Sequence, residues 1–289
     1  MRRSKNPPVD QPETTDLEKA LPLKGEALRE TGRELTADVD SPVWQRSLNR
    51  VLAVQHPVVE SHVRALRRRH PDHSPEQILH TLEREYLTAV TTGGAAVGAS
   101  AVIPGVGIGV SLALSGAETA YFLEATALFA QSVTEVHGIA VTEPERARTI
   151  VMAMMLGGPG SELVRQLAGE AMGTGPARSA FWGDLVAKRL PQAAMSNLSG
   201  MVRKEFTKRF VRMQSATIVG RAIPFGIGAV VGGVGNHTLG RKVVTSSRTA
   251  FGPAPAAFPS ELESKPEHRS LLQRLPFPIG RRRRGDADQ

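Results

Sequence analysis

Two related stretches decide the fold: Ile103-Pro104-Gly105-Val106-Gly107-Ile108-Gly109-Val110 and Ile223-Pro224-Phe225-Gly226-Ile227-Gly228-Ala229-Val230. Each couples an Ile-Pro pair to a Gly-Ile-Gly element, with one residue of slippage between them. The first lies within Tyr86–Ala117, 32 residues without a charge, and the second within Ala222–Gly240, 19 more. Together they hold 13 of the 28 glycines. Pairs at four-residue spacing (Gly94/Gly98, Gly105/Gly109, Gly228/Gly232) let helix backbones approach closely. In a water-exposed helix each glycine costs about 1 kcal/mol against alanine, so close packing must compensate. The expectation is two glycine-rich apolar helical segments packed together, interrupted or restarted at Pro104 and Pro224.

Pro104 divides the first run into arms of roughly 13 to 18 residues, or about 20–27 Å at the α-helical rise. A bilayer core is about 30 Å thick, so neither arm spans it comfortably. A re-entrant or interfacial hairpin, or a tightly packed soluble core, fits better than a simple span. Arg221 precedes the second run and Arg241-Lys242 follow it, which gives no positive-inside asymmetry.

Outward from these runs the signals are helical, and strand-like alternation is nearly absent. Pro57 suits the first turn of a helix through Arg69. Ser74, Pro75 and Gln77 spell a capping box, followed by Ile78, Leu82, Tyr86 and Leu87 at helical spacing. A helix over Ser115–His137 stops at Gly138, with Tyr121, Ala125, Leu128, Phe129 and Val133 as one apolar stripe. Thr142 and Glu145 read as a second capping box, for a helix closed by Gly157-Gly158. Ser161 reads as the cap of a shorter helix ending near Gly173, and Pro191 opens a long one through Ser215. The class is all-α, a helical bundle over 43–252. Residues 1–42 are rich in Pro, Glu, Thr and Lys and, with room for a short helix around Leu17–Glu34 but nothing periodic that demands burial, read as a mostly disordered tail. Residues 253–289 read as a disordered Pro-rich tail carrying the Arg281–Arg284 cluster.

The chain has 289 residues and a formal charge of +8. The two tails balance, so the excess sits in the middle. Lys188–Arg248 holds 11 basic residues against Glu205 alone, a patch suited to phosphates on lipid or nucleic acid. Its candidate contacts are Arg203, Lys204, Lys208, Arg209, Arg212, Arg221, Arg241 and Lys242. The first five lie on one predicted helix, interleaved with Met201, Phe206, Phe210, Val211 and Met213. A smaller cluster, Arg64 and Arg67–Arg69, carries the same ambiguity. Met1–Asn6 is polar and basic with no apolar region after it, which predicts no signal peptide and a cytoplasmic protein.

Catalytic signals are few. Without cysteine there is no disulfide, thiolate zinc site or cysteine nucleophile. A Walker loop and a Gly-x-Ser-x-Gly elbow are also lacking. His70, His73 and His80 lack zinc-ligand spacing. Glu118 and Glu124, six residues apart, do not share a helix face as an acid/base pair would. Asn236 is a polar residue inside the second apolar run, suited to a buried hydrogen bond or a helix end. The expectation is a protein without catalytic residues, metal or cofactor. An enzyme would need a polar pocket converging on Glu118 and Asn236.

The order of these elements is similar to one family. A glycine-rich Ile103-Pro104-Gly105-Val106-Gly107 segment precedes the Glu118–Val136 helix with His137-Gly138, and the Glu143–Leu156 helix follows. A basic helix then runs into Ala222–Asn236. This resembles the EcsC family of bacterial proteins over roughly residues 80–252, most closely in the two glycine segments. The resemblance implies a helical, often membrane-associated protein and supplies no catalytic residues. With the basic patch, it gives an expectation of peripheral attachment to the cytoplasmic membrane face, with an anionic membrane surface as the partner. The alternative is a soluble helical protein that binds nucleic acid through the same patch.

Overall fold

The computed structural model describes residues 15–100, 108–139, 141–171, 182–183, 185–220, 227–260 and 262. It is all-helical, a bundle without strands among the described residues. Four shorter helices open it: α1 (Asp16–Ala20), α2 (Gly25–Glu34), α3 (Pro42–Leu52) and α4 (His56–Arg69). Then come α5 (Pro75–Ser100), α6 (Ile108–Val136), α7 (Pro144–Leu156) and α8 (Gly158–Ala171). A π-helical turn (Leu185–Arg189) leads to α9 (Gln192–Gly220) and α10 (Ile227–Phe251).

Proline and glycine punctuate this order as local chemistry dictates. Proline is pre-organised for the first helical turn, so the residue before it becomes the N-cap. Ser41 does this ahead of Pro42, accepting a bond from Trp44 N–H at 3.2 Å. Ser74 does it ahead of Pro75, and the expected box forms in full. Gln77 N–H donates to Ser74 Oγ at 3.3 Å, and Ser74 N–H to Gln77 Oε1 at 2.8 Å. The same rule overturns the box expected of Thr142 and Glu145. Pro144 makes Glu143 the N-cap, without a side-chain capping bond. Ser161 is also no cap, because α8 begins three residues earlier at Gly158 and the Ser161 hydroxyl bonds Gly157 O. Gly138 (φ +69°) and Gly157 (φ +70°) end α6 and α7 in the left-handed region that glycine tolerates.

Helix α6 is the axis of the bundle, packed against α1 to α5, α7 and α10. The expected single apolar stripe is an understatement, since Phe122 to Val136 is buried on every side. Some of its polar side chains find partners at that depth: Thr126 hydrogen-bonds Tyr86 Oη at 2.8 Å, and Glu135 meets His56 Nε2 at 3.1 Å, whereas Gln131 Nε2 and Ser132 Oγ have none. Tyr86 also stacks on Phe129 with ring centroids 4.6 Å apart.

One domain expectation is corrected. Residues 15–42 are not a disordered tail but part of the bundle, with Leu17, Leu21 and Leu35 buried in the core. Gly32 of α2 sits backbone to backbone on Gly116 and Ala117 of α6, a contact with no room for a side chain on either glycine. Three buried leucines and one glycine crossing anchor a segment whose composition is otherwise polar. At the other end, Leu262 is buried and Phe258 lies beneath Arg67, 4.0 Å from guanidinium carbon to ring centroid, so the chain stays docked past residue 253. Residues 1–14 and 263–289, with Arg281–Arg284, lie outside the described residues. Among the described residues no helix is long and apolar enough to cross a membrane.

Candidate functional site

The two glycine-rich segments meet. Helices α5 and α10 make the most extensive helix pair in the bundle. At its centre Gly94 faces Gly232, and a Cβ on Gly94 would stand 2.7 Å from Gly232 O and 2.6 Å from Asn236 Nδ2. Gly93 is covered by the Tyr121 ring, 2.8 Å from where its Cβ would be, and Gly240 by Leu87 and Val90. Gly98, Gly109 and Gly228 fall within α5, α6 and α10. Pro104, Gly105, Pro224 and Arg221 lie outside the described residues.

Asn236 ties this seam to the bundle axis. Its amide donates both hydrogens, one to Val90 O of α5 and one to Glu118 Oε1 of α6, each at 3.1 Å. The two polar residues singled out in the apolar runs are therefore hydrogen-bonded partners at the junction of three helices. One residue on, His237 Nδ1 lies 3.1 Å from Thr91 Oγ1, whose own proton goes to Leu87 O at 2.6 Å. The imidazole is then the donor at Nδ1. Neither cleft that His237 borders is lined by Glu118 or Asn236. Both amide hydrogens of Asn236 are used within the bundle, and the pair acts as a packing clamp.

Glu124 proves to be the more unusual carboxylate. It is 2% exposed, accepts one bond from Leu23 N–H at 2.9 Å through Oε1, and leaves Oε2 without a partner. Burial pushes it up to about 7, against the opposing pull of the Leu23 hydrogen bond and Lys24. Its link is to α1–α2, not to Glu118.

The basic stretch resolves into two surfaces. Helix α9 docks through Met195, Leu198, Val202, Phe206 and Phe210, all buried, with Phe210 5.9 Å from the Trp44 ring. The opposite face carries Met201, Lys204, Lys208, Val211 and Arg212, within a sector of about 100° at 3.6 residues per turn. All five are exposed. Met201 (45% exposed) and Val211 (36%) are two of three exposed large hydrophobics among the described residues. Arg203 borders this face, and Arg209 is engaged with Glu205 at 2.8 Å. Arg241 and Lys242 instead lie on α10, beside Arg165 of α8, where they line a cleft of about 800 Å³.

Three of the four arginines in the smaller cluster are taken up by the fold. Arg64 pairs with Glu60 at 2.6 Å, Arg67 covers Phe258, and Arg69 pairs with the buried Asp16 of α1. Sequence reasoning missed Arg165, because nothing local to α8 places it beside α10.

Compared with known protein families, the chain matches no family. It matches no characterised protein and no solved structure. The resemblance to the EcsC family rests on the quoted motifs alone.

Proposed function

We propose that this is an EcsC-like helical protein that attaches peripherally to the anionic, cytoplasmic face of a membrane, in an interaction or scaffold role without catalysis. One observation carries the reading. The solvent face of α9 pairs exposed apolar side chains, Met201 and Val211, with Lys204, Lys208 and Arg212. Exposed methionine and valine among cations suit an interface where apolar groups enter the acyl boundary and cations meet headgroups. Each cation near an acidic leaflet contributes about 1 kcal/mol. The tight seam between α5 and α10 then supplies a rigid support, not a membrane insertion. It also gives Gly94, Gly232 and Gly240 a packing role.

Flotation with phosphatidylglycerol-containing vesicles at low salt tests this. The full chain co-floats, and Lys204→Gln/Lys208→Gln/Arg212→Gln lowers partitioning by roughly 100-fold, three cations at about 1 kcal/mol each. Met201→Ser/Val211→Ser weakens the part of binding that survives high salt. If the wild type stays with the soluble fraction, or the triple variant floats equally well, the reading fails. Salt-dependent retention of duplex DNA without flotation would put the nucleic-acid alternative in its place.

A further inference from the structure

A second basic feature lies away from the α9 face. The turn between α7 and α8 and one side of α10 enclose a cleft of about 800 Å³, within the range of small-molecule sites. Among the described residues three cations line it, Arg165, Arg241 and Lys242, and no carboxylate does. None of the three makes an ion pair among the described residues. Arg248, two turns beyond Arg241 on the same helix, shows the contrast: it grips Glu83 through Nε and Nη2 at 2.7 and 2.5 Å.

The hydroxyls around the cleft sharpen the point. Thr245 donates to Arg241 O at 2.9 Å, and Ser161 to Gly157 O at 3.3 Å, so both are satisfied by their own helices. Ser246 is not. It is 5% exposed and lines the cleft, yet its Oγ has no hydrogen-bond partner. The Nε of Arg165, also buried, has none either. Buried donors in native folds are nearly always satisfied, so two orphans in one cleft call for an acceptor. Helix α8 adds a third, smaller contribution. It starts at Gly158 on the rim, and although Pro159 has no N–H and Ser161 N–H bonds Gly157 O, this end carries the positive pole of the helix dipole. A Cβ on Gly157 or Gly158 would meet nothing within 4 Å, so the backbone there is open to a ligand.

We infer that this cleft is a binding site for a phosphomonoester. The ligand's phosphate is held by Arg165, Arg241, Lys242 and Ser246 at the N-terminus of α8. A dianionic phosphate offers three acceptor oxygens to a fork-shaped guanidinium and a hydroxyl, which matches the donors left over here. The remaining volume takes the group esterified to it. That group belongs either to a soluble phosphomonoester or to a lipid whose headgroup is a phosphomonoester. None of the α9 face residues lines the cleft, so this site stands or falls separately from the membrane surface proposed above.

The test is calorimetric titration of the full chain at constant ionic strength. The probes are inorganic phosphate, glycerol 3-phosphate, and phosphatidylcholine vesicles with and without phosphatidic acid. Binding of phosphate and glycerol 3-phosphate that Arg165→Gln/Arg241→Gln weakens at least about tenfold supports the site with a soluble ligand. Binding confined to phosphatidic acid vesicles, with the same loss, supports it with the lipid. Ser246→Ala separates ligand binding from a merely structural role. It removes an unsatisfied hydroxyl, so its unfolding midpoint in chloride stays level or rises while phosphate binding weakens several-fold. Lys204→Gln/Lys208→Gln/Arg212→Gln leaves phosphate binding unchanged. A wild type that gives no heat with phosphate or glycerol 3-phosphate and no preference for phosphatidic acid overturns the inference. So do variants that bind as the wild type does.

Discussion

Replacing Glu124 by glutamine should make the protein more stable at pH 8.5 and almost unchanged at pH 4. The carboxyl sits on the fully buried turn of α6, bonded once through Leu23 N–H, with Oε2 unpartnered. Burial raises it from its ordinary value of 4.5 to about 7. In the unfolded chain the group ionises near 4.5, so between these values the folded state holds a proton that the unfolded state has released. Stability from this group is complete below pH 4.5 and is lost as the pH climbs through about 7. At 1.36 kcal/mol per pH unit, that window bounds the loss at roughly 3 kcal/mol, and relaxation around the charge reduces it to about 1–3. Glutamine keeps the shape and the Leu23 bond and removes only the ionisation.

Urea unfolding followed by circular dichroism at pH 4, 5.5, 7 and 8.5 gives the measurement. Other buried groups contribute tilts of their own. Burial lowers His62 to about 4, so its contribution is lost in the opposite direction, as the pH falls below 6.5. The difference between wild type and Glu124→Gln cancels that background. It should grow from near zero at pH 4 to a plateau above pH 7 in favour of glutamine. Parallel stability curves, or a glutamine variant that is weaker at pH 8.5, would refute the reasoning that this carboxylate is desolvated and under-bonded.

Two paired substitutions test the packing and capping arguments. Gly94→Ala forces a methyl against Gly232 O on the facing helix, and should cost about 1–3 kcal/mol in urea unfolding. Gly233→Ala, one residue along α10, meets Ala95 Cβ and Thr91 O at an ordinary 3.4 Å and should be neutral or stabilise by up to about 1 kcal/mol. Equal effects at both positions would mean that the backbones do not meet where described. Ser74→Ala should lose about 1 kcal/mol with its capping bonds. Thr142→Ala should stay within about 0.5 kcal/mol of wild type, because Pro144 has moved the cap to Glu143. A thermal midpoint lowered as much by Thr142→Ala as by Ser74→Ala would contradict this.

What was legible beforehand had local causes. The boxes, stops and breaks at Ser74, Gly138, Gly157 and Pro191 depend on atoms three or four residues apart, so the sequence states them directly. The error at Thr142 was also local, a proline at the first helical position overriding a weaker pattern. The glycine runs announced close packing because an unsupported glycine helix is unstable in water. They could not say which glycine meets which. A helix around Leu17–Glu34 was legible, but the docking of residues 15–42 was not, because composition averages over the segment, whereas docking needs only Leu17, Leu21, Leu35 and the bare backbone at Gly32.

By itself the sequence determined the helical class, several helix boundaries, and the presence of a cationic region around the second glycine run. The tertiary structure alone decided how those parts are used. It joined Glu118 to Asn236 across 118 residues and split the basic stretch into an α9 face and an α10 cleft. It also brought Arg165 from α8 to the second of these. The reason is physical. Helix propensity and capping act within one or two turns, but which faces meet depends on the complementarity of whole surfaces, and that exists only once the bundle has closed.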